Sequence, residues 1–132
     1  VGIIARVPLA SGLLTGRYTA KTVFGPQDHR SYNREGAAFD KGETFSGVPY
    51  DLGLQAVECL KDTFGTEDLA PLAIRWVLMD PRVSVVIPGA SRAQQVSDNV
   101  KAAELPPLTE GQMAAVRDVY DSCLREIIHP QW

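Results

Sequence analysis

The stretch that most constrains this chain runs from Val83 to Asn99: Val-Ser-Val-Val-Ile-Pro-Gly-Ala-Ser-Arg-Ala-Gln-Gln-Val-Ser-Asp-Asn. Apart from Ser84, its first five residues are apolar and β-branched, the composition of a buried parallel strand. Pro88-Gly89 breaks the strand. Ser91 with Gln94 three residues on has the spacing of a capping box, which predicts a helix starting at Arg92. The order strand, glycine turn, helix start commits the chain to an α/β fold. A helix start carries unpaired N–H groups and the positive end of a dipole, and it favours an anion there, phosphate above all. Ser91, Arg92, Gln95 and Asn99 would add a hydroxyl, a guanidinium and two amides at the same end. The plainer alternative is that Ser91 only caps, Gly89 only turns and Arg92 is solvated.

A second strand is expected at 1–7, ended by Pro8, which cannot donate to a ladder. Behind it, Pro8-Leu9-Ala10-Ser11-Gly12-Leu13-Leu14-Thr15-Gly16-Arg17-Tyr18 combines two glycines with one cation. Backbone can approach a ligand closely in such a turn, with Arg17 available to a phosphate oxygen. Residues 19–50 show no sustained periodicity, and Gly25-Pro26, Gly36, Gly42 and Gly47-Val48-Pro49 break them up. A connection this long is usually functional or disordered. Its basic cluster, His29 to Arg34, reads as a solvated loop.

Residues 51–64 place Leu54, Val57, Leu60 and Phe64 on one helical face, stopped by Gly65. Asp68 is positioned to cap a further helix whose stripe is Leu69, Leu72, Ala73, Trp76 and Val77, with Pro71 in the tolerated first turn. Trp76 is expected in the core and Arg75 at the surface or in an ion pair. After a helix from Arg92 to about Ala103, Thr109 and Gln112 form another capping box. Met113, Val116, Tyr120, Cys123 and Leu124 then line a last helix to about Ile127, with Tyr120 half-buried. The tail His129-Pro130-Gln131-Trp132 carries no motif.

Thirteen Lys and Arg against sixteen Asp and Glu give a net charge of −3, with the signs interspersed. No footprint for nucleic acid or an anionic membrane results, and the apolar runs fall far short of the ~20 residues of a membrane span. Cys59 and Cys123 belong to no C-x-x-C or Cys/His cluster, so no metal site is expected and both read as free thiols in a cytoplasmic protein. No leader peptide is expected either, and the start in mid-strand reads as part of something longer.

The run Ile87-Pro88-Gly89-Ala90-Ser91-x-x-x-Gln95-x-x-x-Asn99 resembles the signature behind the last barrel strand of aldo-keto reductases. There it holds the 2′-phosphate and adenosine of NADPH. Gly89, Ser91, Gln95 and Asn99 match, while Arg92 and Asp98 sit where the family has polar or acidic groups. The segment Pro8 to Tyr18 is similar to the family's Pro-Leu-x-x-Gly-x-x-x-Gly-Lys/Arg-Tyr run along the cofactor pyrophosphate, with Leu9, Gly12 and Arg17 at the matching positions. Two residues before Pro8, where many members stack an aromatic on the nicotinamide, stands Arg6. By resemblance, 19–50 is a mobile flap over cofactor and substrate, and Arg30 and Arg34 are candidates to close on the pyrophosphate.

The resemblance covers residues 1–132 as one segment. It implies the C-terminal portion of a (β/α)8 TIM barrel of the aldo-keto reductase type, an incomplete barrel holding its last two strands. A whole barrel needs about 250 residues, and the chain has 132. The implied function is the NADPH-binding part of an enzyme reducing aldehydes or ketones. The alternative is a non-catalytic regulatory module of the same fold, as in potassium-channel β subunits. The family's Tyr proton donor, with its Lys, Asp and His, belongs to the first half of the barrel. Hence no catalytic residue is expected here, and no activity of the chain alone. Exposed strand edges would call for a missing N-terminal half or another copy as partner.

Overall fold

A computed structural model describes residues 1–131; Trp132, at the end of the tail noted above, lies outside the described residues. Strands β1 (Ile3–Arg6) and β2 (Val83–Ile87) pair in parallel, Ile4 beside Val85 and Arg6 beside Ile87, with an irregularity between Ile3 and Ile4. β1 is shorter than the expected 1–7 because Val7 takes φ 52°, outside the β region. Between the strands lie a glycine-containing turn, the short helix α1 (His29–Tyr32), two 3₁₀ turns at Lys41–Glu43 and Phe45–Gly47, and helices α2 (Tyr50–Phe64) and α3 (Ala70–Leu78). After β2 come α4 (Ala93–Ala102), α5 (Glu110–Cys123) and α6 (Arg125–Ile128).

The caps explain most of these bounds. Gly65 ends α2 in the left-handed conformation at φ 62°, its N–H donating to the Lys61 carbonyl. Leu69, not Asp68, is the N-cap residue of α3, although the Asp68 carboxylate accepts from Ala70 N–H at 3.2 Å. Thr109 and Gln112 make the reciprocal box at the start of α5, at 3.2 and 2.8 Å. That helix stops at Cys123, short of the expected Ile127, because Leu124 leaves helical geometry at φ −123° before α6 resumes.

The core lies to one side of the sheet. Leu13 of the turn, Phe45, Val57 of α2 and Leu69 form its buried centre, with Tyr18, Phe24, Tyr50, Phe64 and Leu72 packed around them. The strands are barely covered: Ile4 is 62% and Ile87 52% exposed. Trp76 is 44% exposed, which corrects its expected core position. Its stripe on α3 exists, but it faces an apolar cavity of about 410 Å³ between the turn, α2, α3 and α5 that no described element closes. Cys59 on α2 and Cys123 on α5 are free. Partial desolvation and then the neighbouring Cys123 thiol push the Cys59 thiol up. Among the described residues no helix is long and apolar enough to cross a membrane.

Leu13 is 4% exposed and touches α2 through Gly53, so truncating it removes apolar contact at the centre of the core. Buried Leu→Ala changes cost about 2–5 kcal/mol. Because Leu13 also borders the open cavity, Leu13→Ala is expected near the low end, about 2–3 kcal/mol, read as a lower urea midpoint at unchanged slope.

Candidate functional site

Parallel pairing carries the ends of β1 and β2 to the same side, and a cleft of about 90 Å³ opens there. Leu9, Thr15 and Arg17 line it from the turn behind β1, Gly89 from behind β2, and Gln95, Asp98 and Asn99 from α4. Asp68, Ala70, Pro71 and Ile74 close the remaining side. Six sequence-predicted positions, Leu9, Arg17, Gly89, Gln95, Asp98 and Asn99, thus meet across about ninety residues of chain. Gly12, Ser91 and Arg92 do not line the cleft. Gly12 sits in the turn at φ 96°, where a Cβ would run into the Tyr18 hydroxyl.

The start of α4 differs from expectation by one residue. The helix begins at Ala93 with Arg92 as an extended N-cap residue, φ −143° and ψ 147°. Gln95, not Gln94, is the capping glutamine. Its Oε1 accepts from Ser91 N–H at 2.8 Å, Arg92 N–H at 3.1 Å and the Ser91 hydroxyl at 3.1 Å. Gln94 instead reaches forward one turn, donating to Asp98 Oδ1 at 2.8 Å. An i,i+4 pair on a helix face outcompetes the backward reach once the cap has shifted. Consequently Ser91 already donates to Gln95, whose amide nitrogen is a further donor at the edge of the cleft. The cleft mixes charge: Arg17 shares its lining with Asp68 and Asp98, of which Asp98 is tied to Gln94 and lies 3.9 Å from Lys101.

The segment 19–50 is a folded unit held by polar contacts. Asn33, fully buried, makes four hydrogen bonds, accepting from Ala38 and Phe39 N–H at 2.9 Å each and donating to Thr44 Oγ1 at 3.2 Å and the Asp40 carbonyl at 3.4 Å. That saturates its amide. The Arg30 guanidinium pairs with Asp28 at 2.6 Å, donates to the Ser11 carbonyl at 3.3 Å and to the Tyr18 hydroxyl, and lies over the Phe24 ring at 4.7 Å. The Arg34 guanidinium lies over Tyr50 at 4.7 Å. The basic cluster expected as a solvated loop is therefore largely turned inward. At the end of β1, Arg6 makes a bidentate pair with Glu43 at 2.9 and 3.0 Å.

Two runs of left-handed backbone face each other here: Ala10, Ser11 and Gly12 in the turn, and Phe45, Ser46 and Gly47 in the flap. Each non-glycine residue so placed costs about 1–2 kcal/mol, and the flanking contacts hold the strain. Sequence reasoning missed Ser11, Asn33, Glu43 and Thr44. Their partners lie up to 37 residues away, so no local pattern marks them.

The model of the aldo/keto reductase family matches residues 1–121. The chain belongs to the aldo/keto reductase family. It is 39% identical over 104 residues to an L-glyceraldehyde 3-phosphate reductase of Escherichia coli, covering 77% of this chain and 28% of that protein. It is 33% identical over 119 residues to the aldo-keto reductase str7 of Strobilurus tenacellus, covering 89% of the chain and 32% of that protein. A probable voltage-gated potassium channel subunit beta of Arabidopsis thaliana is 32% identical over 113 residues, with coverages of 82% and 31%. The chain thus spans about three-tenths of the length of these relatives. The family folds as a (β/α)8 barrel, and two described strands with their helices are consistent with an incomplete one.

Hydrogen bonding to Arg30 holds the Asp28 carboxyl at about 2, below its ordinary 3.8. The stabilisation from this pair is fully present above about pH 4 and is lost as pH falls through about 2. Protection of the Arg30 amide, which donates to Asp28 at 2.9 Å, should fall over that window in NMR exchange measurements. Asp28→Asn should remove the acid step.

Proposed function

We propose that this chain is the C-terminal, NADPH-binding part of an aldo-keto reductase that reduces aldehydes or ketones to alcohols, working in a cytoplasmic protein. The observation carrying this reading is the cleft at the shared strand ends, where residues from both sequence motifs converge. Ligand sites in parallel α/β proteins lie at that end of the strands. A bound nicotinamide would supply the hydride. The cleft is far below the several hundred Å³ of a whole small-molecule pocket, so these residues fit one end of a dinucleotide. Arg17 and the start of α4 would hold its phosphates. The Gln95 and Asn99 amides would take the adenosine side, and Leu9 would give an apolar wall. The proton donor for the substrate oxygen would come from outside this chain, which leaves the isolated chain without reductase activity. The exposed Ile4 and Ile87 face would be covered by a missing N-terminal half or another copy.

The resemblance to channel β subunits supports a second reading, a cofactor-binding regulatory module. Both readings require NADPH binding, and they separate on turnover of an aldehyde panel by the longer protein.

Arg92, exposed at the N-cap of α4, is the charged group nearest in sequence to the Ser91 and Gln95 cap, and we assign it to the cofactor 2′-phosphate. A charge-assisted hydrogen bond is worth about 1.5–3 kcal/mol, roughly 10- to 150-fold in affinity. By fluorescence titration, Arg92→Ala should weaken NADPH binding by that factor and leave NADH nearly unchanged. Equal losses for both cofactors would remove Arg92 from the 2′-phosphate. NADPH oxidation by the isolated chain would overturn the placement of the proton donor outside it.

A further inference from the structure

Helices α2 and α5 pack along each other, but unequally. α2 buries Gly53, Ala56 and Val57, whereas no residue of α5 is buried. α5 is thus held mainly by one flank, beside the open apolar cavity to which it gives Val116, Val119 and Tyr120. Both free cysteines of the chain sit on this contact, Cys59 on α2 and Cys123 as the last residue of α5. Far apart in sequence, their thiols are in hydrogen-bonding contact across the helix pair. Cys59 is exposed and Cys123 half-buried, so a small solute reaches the pair. Among the described residues no His or carboxylate completes a metal-holding group with them, and what two adjacent thiols offer is sulfur–sulfur chemistry. Neither lines the cleft, so the pair is independent of the cofactor reading.

We propose that Cys59 and Cys123 are a reversible redox pair, which a peroxide joins into a disulfide that staples α5 to α2. The Cys59 thiolate, the more exposed, attacks one oxygen of hydrogen peroxide. The O–O bond breaks, the sulfur becomes a sulfenic acid, and the departing hydroxide takes up the thiol proton as water. The Cys123 thiolate then attacks that sulfur. The S–S bond forms, and the sulfenic hydroxyl leaves with the second thiol proton as water. Two electrons pass from the thiols to the peroxide: two thiols and one hydrogen peroxide give one disulfide and two waters. A dithiol reductant restores the thiols by exchange and is itself oxidised to a disulfide. Closing the bond brings the sulfurs to about 2.05 Å. Leu124, directly behind Cys123, has already left helical geometry at φ −123°, which lets the end of α5 yield toward α2. The bond closes a loop of about sixty residues that contains α3, β2 and α4. In a reducing compartment such bonds are transient and redox-sensing.

The test starts from the reduced full chain, treated with hydrogen peroxide, alkylated and digested with trypsin. Residues 42–61 should appear joined to residues 118–125, each tryptic peptide carrying one cysteine, and dithiothreitol should separate them. Non-reducing electrophoresis should show no covalent dimer. The urea midpoint of the oxidised parent should rise, with a gain in the folding equilibrium of up to about a thousandfold, and neither Cys59→Ser nor Cys123→Ser should gain it. In Cys123→Ser, Cys59 should run on to the sulfinic acid, because its sulfenic acid has no thiol to trap it; the parent should form little. Four results would each overturn the proposal: no joined peptides, joining only between molecules, a Cys59 sulfinic acid forming as readily in the parent as in Cys123→Ser, or an oxidised parent no more stable than the reduced one.

Discussion

The parallel pairing of β1 with β2 is the constraint on which the rest of the structure depends. Parallel strands deliver their outgoing turns to one side, so the glycine turn behind Arg6 and the Pro88-Gly89 break behind Ile87 become neighbours. An antiparallel arrangement would have put them at opposite ends. The cleft follows from that one choice: a cation and a wall from the first turn, and a helix start with its amides from the second.

The pairing does not by itself hold the first turn in shape. That task falls to the flap, which gives Phe24, Phe45 and Tyr50 to the core and is organised within itself by polar groups. Asn33 satisfies two backbone N–H groups and ties Thr44 and Asp40 into the same unit. Ser11 and Arg30 then join that unit to the turn. A buried amide with all four positions filled fixes a loop more uniquely than an apolar contact would, because each missing partner carries a desolvation cost. The aromatic residues Phe24, Phe45 and Tyr50 serve the same junction from the core side, giving rings on which the Arg30 and Arg34 guanidinium groups rest.

Membership of the aldo/keto reductase family accounts for what is otherwise an uncomfortable architecture. Two strands with Ile4 and Ile87 half exposed, and an apolar cavity beside Trp76, would be liabilities in a protein of this shape alone. In a (β/α)8 barrel, strands are paired on both edges and covered on both faces. The well-packed core lies around Leu13, Phe45, Val57 and Leu69, between the turn, the flap and α2, away from the open sheet. The part of the fold that shapes the cleft is thus also the part best packed within this chain.

Much of this was legible in the sequence because it is local chemistry. β-branched runs, the Thr109 box, the Gly65 stop and the glycine turn each follow from the residues beside them, and they located β2, α2 and α5 closely. The capping box at Ser91 was read one residue early, since Ser91–Gln94 and Arg92–Gln95 share a spacing and only the extended backbone of Arg92 chooses between them. Apolar periodicity marked the stripe of Trp76 but not whether anything packs on it. Periodicity reports which side is apolar, and burial depends on what other elements cover that side. The inward turn of Arg30 and the bonds of Ser11 and Asn33 depended on distant segments meeting, with partners that no spacing rule reveals. The sequence by itself determined both strands, the helix stopped at Gly65, the helix capped at Thr109 and the two turns behind the strands; only the tertiary structure decided how segment 19–50 packs onto the first of those turns, because those hydrogen bonds exist only once distant backbone has been brought within 3 Å or so.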